Sequence, residues 1–122
     1  MKKLVVLFLV LLFVATLSLS ATGELRPIVK AMLARLGWIQ QITVDYALSD
    51  FEKIKATAGA LSAQAKKTAD AADGPRKELN QKLSDATAAL GEAADKKDGQ
   101  LVATRIGEVL AVCNKCHATM RD

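Results

Sequence analysis

The chain of 122 residues carries 17 lysines and arginines, 13 aspartates and glutamates and one histidine, which gives a formal net charge of +4. Without Lys2 and Lys3, 15 basic and 13 acidic residues remain, so the rest of the chain is close to charge balance. Because it has no basic block and an aromatic content of only 4%, the sequence gives no indication of a nucleic-acid partner.

The N-terminus has the order of a secretory signal peptide. Met1, Lys2 and Lys3 precede an apolar run over residues 4–19, and small residues occupy positions 20–23. We therefore expect a signal peptide at 1–22, cut between about 20 and 23, and one periplasmic domain at 23–122 with a single core. The apolar run is also close to the length of a membrane span, so an uncleaved inner-membrane anchor is the alternative. A cleaved chain would have no stable membrane anchor.

Four amphipathic helices and no strands are predicted after the signal. The first begins near Glu24, tolerates Pro27 in its first turn and ends near Ala47. Steps of three and four residues define its expected core-facing stripe, which comprises Val29, Met32, Leu36, Ile39, Thr43 and Tyr46.

The second helix is predicted to begin with a capping box, in which Ser49 is the N-cap and Glu52 reaches back to it. Its core face is expected to contain Phe51, Ile54, Ala58, Leu61 and Ala65.

Pro75 is predicted to open the third helix, and the fourth is predicted to run from about Gln100 to Met120. The stripe of the third contains Leu79, Leu83, Ala86, Leu90 and Ala93. The stripe of the fourth contains Val102, Ile106, Val109, Cys113, Cys116 and Met120. Four helices of similar length with short connections predict an all-α fold, an antiparallel up-down-up-down four-helix bundle in which the first and fourth helices are neighbours.

The sequence Cys113-Asn114-Lys115-Cys116-His117 is typical of a c-type heme attachment site. The thiols bond to the vinyl groups of the porphyrin, and the histidine that follows becomes the proximal iron ligand. A structural zinc site needs four protein ligands, and these residues supply three. A thioredoxin-like motif would open a helix within a βαβ unit, whereas this motif lies near a helix end. A disulfide between Cys113 and Cys116 in a heme-free redox bundle is a further alternative.

An export signal, four helices and a C-terminal Cys-x-x-Cys-His resemble the class II cytochromes c, the cytochrome c′ family. The family ending is Cys-x-x-Cys-His-x-x-aromatic-Arg, and here Met120 replaces the aromatic residue while Arg121 is kept. The resemblance implies one covalently attached heme c and its iron, held by Cys113, Cys116 and His117. Low-spin members use a methionine of the first helix as distal ligand, whereas high-spin members leave the iron five-coordinate and bind nitric oxide or carbon monoxide.

Met32 is the expected distal ligand. His117 is used on the proximal side, Met1 leaves with the signal, and Met120 follows His117 on the same side of the ring. The resulting expectation is a one-electron carrier with unidentified redox partner proteins, and not an enzyme, since no catalytic constellation is present. If Met32 only fills the core, a protein that binds nitric oxide or carbon monoxide is the alternative.

High-spin relatives commonly carry an arginine one turn before the distal residue, where it contacts a heme propionate. Ile28 takes that place here. Arg26 or Arg35 could substitute as the propionate partner, but the expectation for each is a solvated surface residue. Relatives often dimerise through their first two helices, so a homodimer is an option.

Overall fold

The computed structural model describes residues 25–120 and assigns four helices and no strands to them. These are α1 (Pro27–Ala47), α2 (Phe51–Asp70), α3 (Gly74–Asp95) and α4 (Gly99–Thr119). The chain divides into two compact units, residues 1–32 and 33–122, and α1 begins in the first and continues in the second. The all-helical prediction is confirmed for this part of the chain, whereas the predicted signal peptide at 1–22 lies outside it.

The helix boundaries agree with the sequence pattern to within a few residues. α1 ends at Ala47 as predicted, and α4 starts and stops one residue before its predicted ends. Pro75 lies in the first turn of α3, where its missing N–H costs no helical hydrogen bond. Gly74 begins that helix with a φ of 58°, a conformation that glycine adopts without steric strain.

The predicted capping box of the second helix is wrong by one residue. The N-cap is Asp50, whose carboxylate accepts a hydrogen bond of 3.2 Å from the backbone N–H of Lys53. Ser49 instead lies in the turn after α1, where its φ is 57°. Aspartate caps a helix as well as serine does, and Asp50 also pairs with the Lys53 ammonium at 2.8 Å.

All four helices of the unit 33–122 contribute to one hydrophobic core, so the described chain forms a four-helix bundle. The core consists of Ile42 from α1, Ile54, Ala58, Leu61 and Ala65 from α2, Leu83, Leu90, Ala93 and Ala94 from α3, and Val102 and Val109 from α4. The predicted stripes of the last three helices are therefore confirmed in their central positions. Burial of each large aliphatic side chain contributes about 1.5–3 kcal/mol to folding.

α2 and α3 pack closely because small residues line their contact. A side chain at Gly91 would lie 3.9 Å from the Ala58 methyl. The Ser62 hydroxyl donates to the carbonyl of Ser84 at 2.9 Å, and Lys55 pairs with Asp95 at 2.6 Å. The partners of Lys55, Ala58 and Ser62 on α3 are therefore Asp95, Gly91 and Ser84, in descending order along that helix.

The predicted core stripe of α1 is wrong in part. Leu36 is 54% exposed, and Thr43 and Tyr46 are also exposed. Ile39 packs partly against the core as predicted, and Val29 and Met32 are half-buried in the first unit.

The buried residues of α1 are instead Arg35, Ile42 and Asp45. A search for apolar residues alone passes over this face, because two of its three members are charged. For Asp45, one carboxylate oxygen accepts a bond of 2.9 Å from Gln41 on the same helix. The opposite side of α1 exposes Leu33, Leu36 and Val44.

Candidate heme-attachment site

The motif lies in the last turns of α4. Cys113 and Cys116 are half-buried free thiols, and their spacing of three residues places them on one helix face. Cys113 packs against the hydrophobic core, so its predicted inward orientation is confirmed. His117, the next residue after Cys116, has an exposed side chain. The motif therefore combines one thiol packed against the core, a second half-buried thiol and an exposed imidazole.

Burial changes the acid–base behaviour of the first cysteine. The pKa of the Cys113 thiol is raised, mainly because burial disfavours the thiolate. The positive charge of Arg35 acts in the opposite direction and partly offsets this rise. Arg35 on α1 therefore interacts electrostatically with the motif on α4.

Arg35 is buried, with only 8% of its surface exposed, so the expectation that it is a solvated surface residue is wrong. Its Nε donates to Gln64 Oε1 at 2.8 Å, and its Nη2 donates to Asn80 Oδ1 at 2.6 Å. A longer bond of 3.4 Å joins Nη2 to Thr68 Oγ1. Arg35 thus connects α1 to both α2 and α3. Arg26, by contrast, is exposed as expected.

No carboxylate pairs with Arg35 among residues 25–120, since its three side-chain partners are all neutral. Burial lowers the pKa of Arg35, and the interactions with Cys116 and then Cys113 oppose that shift. Buried charges in proteins are normally paired with an opposite charge. Among residues 25–120 the guanidinium is therefore a buried positive charge without an anionic partner, and it interacts electrostatically with the two cysteines.

Met32, Met120 and Arg121 are the other residues that the sequence analysis considered around the heme. Met32 is half-buried and belongs to the first unit, while the cysteines and His117 belong to the second. Met120 is 37% exposed at the end of α4, and Arg121 lies outside the described residues. In the part of the chain that the structure describes, no three or more histidine, cysteine, aspartate or glutamate residues are grouped so as to hold a metal ion.

Sequence reasoning missed the polar cluster of Arg35, Gln64, Thr68 and Asn80. One signal was present: Arg35 lies four residues before Ile39 and seven before Ile42, so it shares their helix face. The partners on α2 and α3 had no such signal, because amide and hydroxyl side chains are also common on helix surfaces.

No model of a known protein family matches this chain, and no curated protein or solved structure matches it either. None of the helices within residues 25–120 has the length and hydropathy needed to cross a membrane.

Proposed function

We propose that the protein is a periplasmic monoheme c-type cytochrome of the class II kind that carries one electron between redox partner proteins. The observation that supports this most strongly is the environment of the motif: both thiols lie half-buried on one face of the last helix, and they interact electrostatically with a buried arginine that has no anionic partner among residues 25–120. A covalently bound cofactor with acidic groups fits both features, because it uses the thiols and supplies the negative charge.

Three residues of α4 would hold the cofactor. Cys113 and Cys116 would form the two thioether bonds, and the exposed imidazole of His117 would bind the iron on the proximal side. When bound, the heme supplies an iron that alternates between ferric and ferrous and so carries one electron. The protein would hold the ring at the cysteines and supply the iron ligand from His117.

Arg35 is the residue that would bind the acidic groups of the cofactor. A guanidinium forms paired, charge-assisted hydrogen bonds to carboxylates, and arginine keeps its charge when buried. Its electrostatic interaction with both cysteines supports this role.

Met32 is proposed as the distal ligand, which would complete the coordination opposite His117. A thioether ligand raises the reduction potential and suits electron transfer. The alternative is that Met32 fills space and the iron stays five-coordinate, in which case the protein binds nitric oxide or carbon monoxide.

The proposed topology is an up-down-up-down bundle in which α1 neighbours α4. The descending order of α3 residues opposite α2 supports it, as does the interaction of Arg35 on α1 with both cysteines of α4. Export through the signal expected at residues 1–22 supports the periplasmic location. A homodimer, and the absence of enzymatic activity, stay predictions.

Optical spectra of the protein, purified from a periplasm that matures c-type heme, test the proposal. We expect a sharp low-spin ferrous spectrum that carbon monoxide does not change and that Met32→Ala abolishes. Met120→Ala is the matched control, because Met120 is the exposed methionine of α4 and its loss should leave the spectrum unchanged. A high-spin spectrum that shifts with carbon monoxide in the wild-type protein would favour gas binding instead.

A further inference from the structure

We infer that Gln64, Thr68 and Asn80 form a neutral cradle that holds the Arg35 guanidinium in place without cancelling its charge. These three residues are positioning residues, and the charge that they leave intact is available to an anionic group beside Cys113 and Cys116. This inference rests on the proposed function, which identifies that group as the carboxylates of the heme.

The cradle uses only part of the guanidinium. The bonds to Gln64, Thr68 and Asn80 come from Nε and Nη2. A guanidinium has five N–H donors, and Nη1 has no hydrogen-bond partner among residues 25–120. Arg35 is therefore fixed on one side and keeps donors for a ligand on the other.

Two cradle residues are themselves oriented by backbone carbonyls of their own helices. Asn80 Nδ2 donates to the carbonyl of Arg76 at 2.8 Å, which turns Oδ1 toward Arg35. The Thr68 hydroxyl donates to the carbonyl of Gln64 at 3.0 Å, so that its oxygen can accept from Arg35. Both acceptors are therefore presented to the guanidinium before any ligand binds.

The neutrality of the cradle is what distinguishes it from an ordinary buried ion pair. Glutamate at position 64 or aspartate at position 80 would have the same size and would also accept the bond from Arg35. Either carboxylate would neutralise the guanidinium and compete with an external anion for it. Because a nearby positive charge favours the reduced iron, neutralising Arg35 should lower the reduction potential of the heme-loaded protein.

Gln64→Glu is the sharpest test. The Gln64 side chain accepts one bond from Arg35, and glutamate keeps that acceptor and the size of the side chain. Asn114→Asp is the matched control, because it makes the same change of charge at an exposed position between the two cysteines. The measurement is a redox titration of the heme-loaded wild-type and variant proteins, with heme content and circular dichroism recorded to verify folding.

We expect Gln64→Glu to shift the ferric–ferrous equilibrium toward ferric by at least about tenfold, or about 59 mV for one electron, and Asn114→Asp to shift it clearly less. Equal shifts in the two variants would overturn the inference while leaving the proposed function intact. Wild-type protein without covalent heme would instead overturn the proposed function, and the inference with it. If Gln64→Glu does not fold, Asn80→Asp makes the same test from α3, although it also loses the bond to the Arg76 carbonyl.

Discussion

Arg35 on α1 and Asn80 on α3 are joined by a hydrogen bond of 2.6 Å from Nη2 to Oδ1, across a sequence separation of 45 residues. The bond is buried, and it connects a charged group to a neutral amide. Arg35 also interacts electrostatically with the two cysteines of α4. It therefore connects the motif of α4 to the helices α2 and α3.

Replacing Arg35 should change the redox behaviour of the loaded protein. Arg35→Met removes the buried positive charge, so the reduction potential should fall by more than in Arg26→Met, which removes an exposed arginine. Redox titration of both variants gives the comparison. Similar potentials in the two variants would show that the buried charge does not act on the iron.

The orientation of α1 can be tested by stability. Ile42 is 1% exposed, so Ile42→Ala should lower the free energy of unfolding by about 2–5 kcal/mol. Leu36→Ala, on the exposed side of the same helix, should change it by no more than about 0.5 kcal/mol. Denaturant unfolding of the two variants measures both values. A larger loss of stability in Leu36→Ala than in Ile42→Ala would instead support the core-facing stripe predicted from the apolar residues alone.

Substitutions at the two residues that precede α2 should change the melting temperature in opposite directions. Ser49→Gly should raise the melting temperature, because glycine adopts the φ of 57° without steric strain. Asp50→Ala should lower it, because the N–H of Lys53 loses its acceptor. Thermal unfolding of both variants decides whether Ser49 or Asp50 caps the helix. A stabilising Asp50→Ala would contradict the observed cap.

The contribution of Asp50 should also depend on pH. The pKa of its carboxyl group is lowered, chiefly by the side-chain hydrogen bond with Lys53. Because the folded pKa is below the unfolded one, the stabilisation is present above the unfolded pKa and is lost as the pH falls through the folded pKa. The difference in melting temperature between wild type and Asp50→Asn should therefore shrink at acidic pH. A difference that does not change with pH would show that the charge is irrelevant.

The effect of a buried carboxylate on stability can be tested at Asp45. It is 1% exposed, and its Oδ2 has no hydrogen-bond partner in the described chain. Asp45→Asn keeps the oxygen that accepts from Gln41 and removes the buried charge, so the variant should be more stable than the wild type. Asp85→Asn, at an exposed position on α3, is the control. A clear loss of stability in Asp45→Asn would mean that the charge itself is needed.

The sequence pattern predicted the helices well because their stripes are mostly apolar. The buried faces of α2 to α4 contain Ile54, Leu61, Leu90, Val102 and Val109, which a period of 3.6 residues reveals directly. The Cys-x-x-Cys-His motif that begins at Cys113 could also be recognised from the sequence, because it depends only on the spacing of neighbouring residues.

The buried face of α1 could not be predicted from the spacing of apolar residues. Its inward positions include Arg35 and Asp45, and the burial of a charged residue depends on partners that are distant in the chain. Gln64 and Asn80 lie 29 and 45 residues after Arg35, so only the packed structure shows that they meet it. The same holds for the cap, where Ser49 and Asp50 are both suitable residue types and the backbone conformation decides between them.

The most direct test of the central claim is the pyridine hemochrome spectrum of the chain after denaturation and extraction of free heme. The chain is produced in a periplasm that matures c-type heme, and the Cys113→Ala, Cys116→Ala double variant is the control. We predict one heme per wild-type chain that extraction does not remove, and none on the double variant. A wild-type chain without bound heme, with Cys113 and Cys116 joined as a disulfide, would contradict the account.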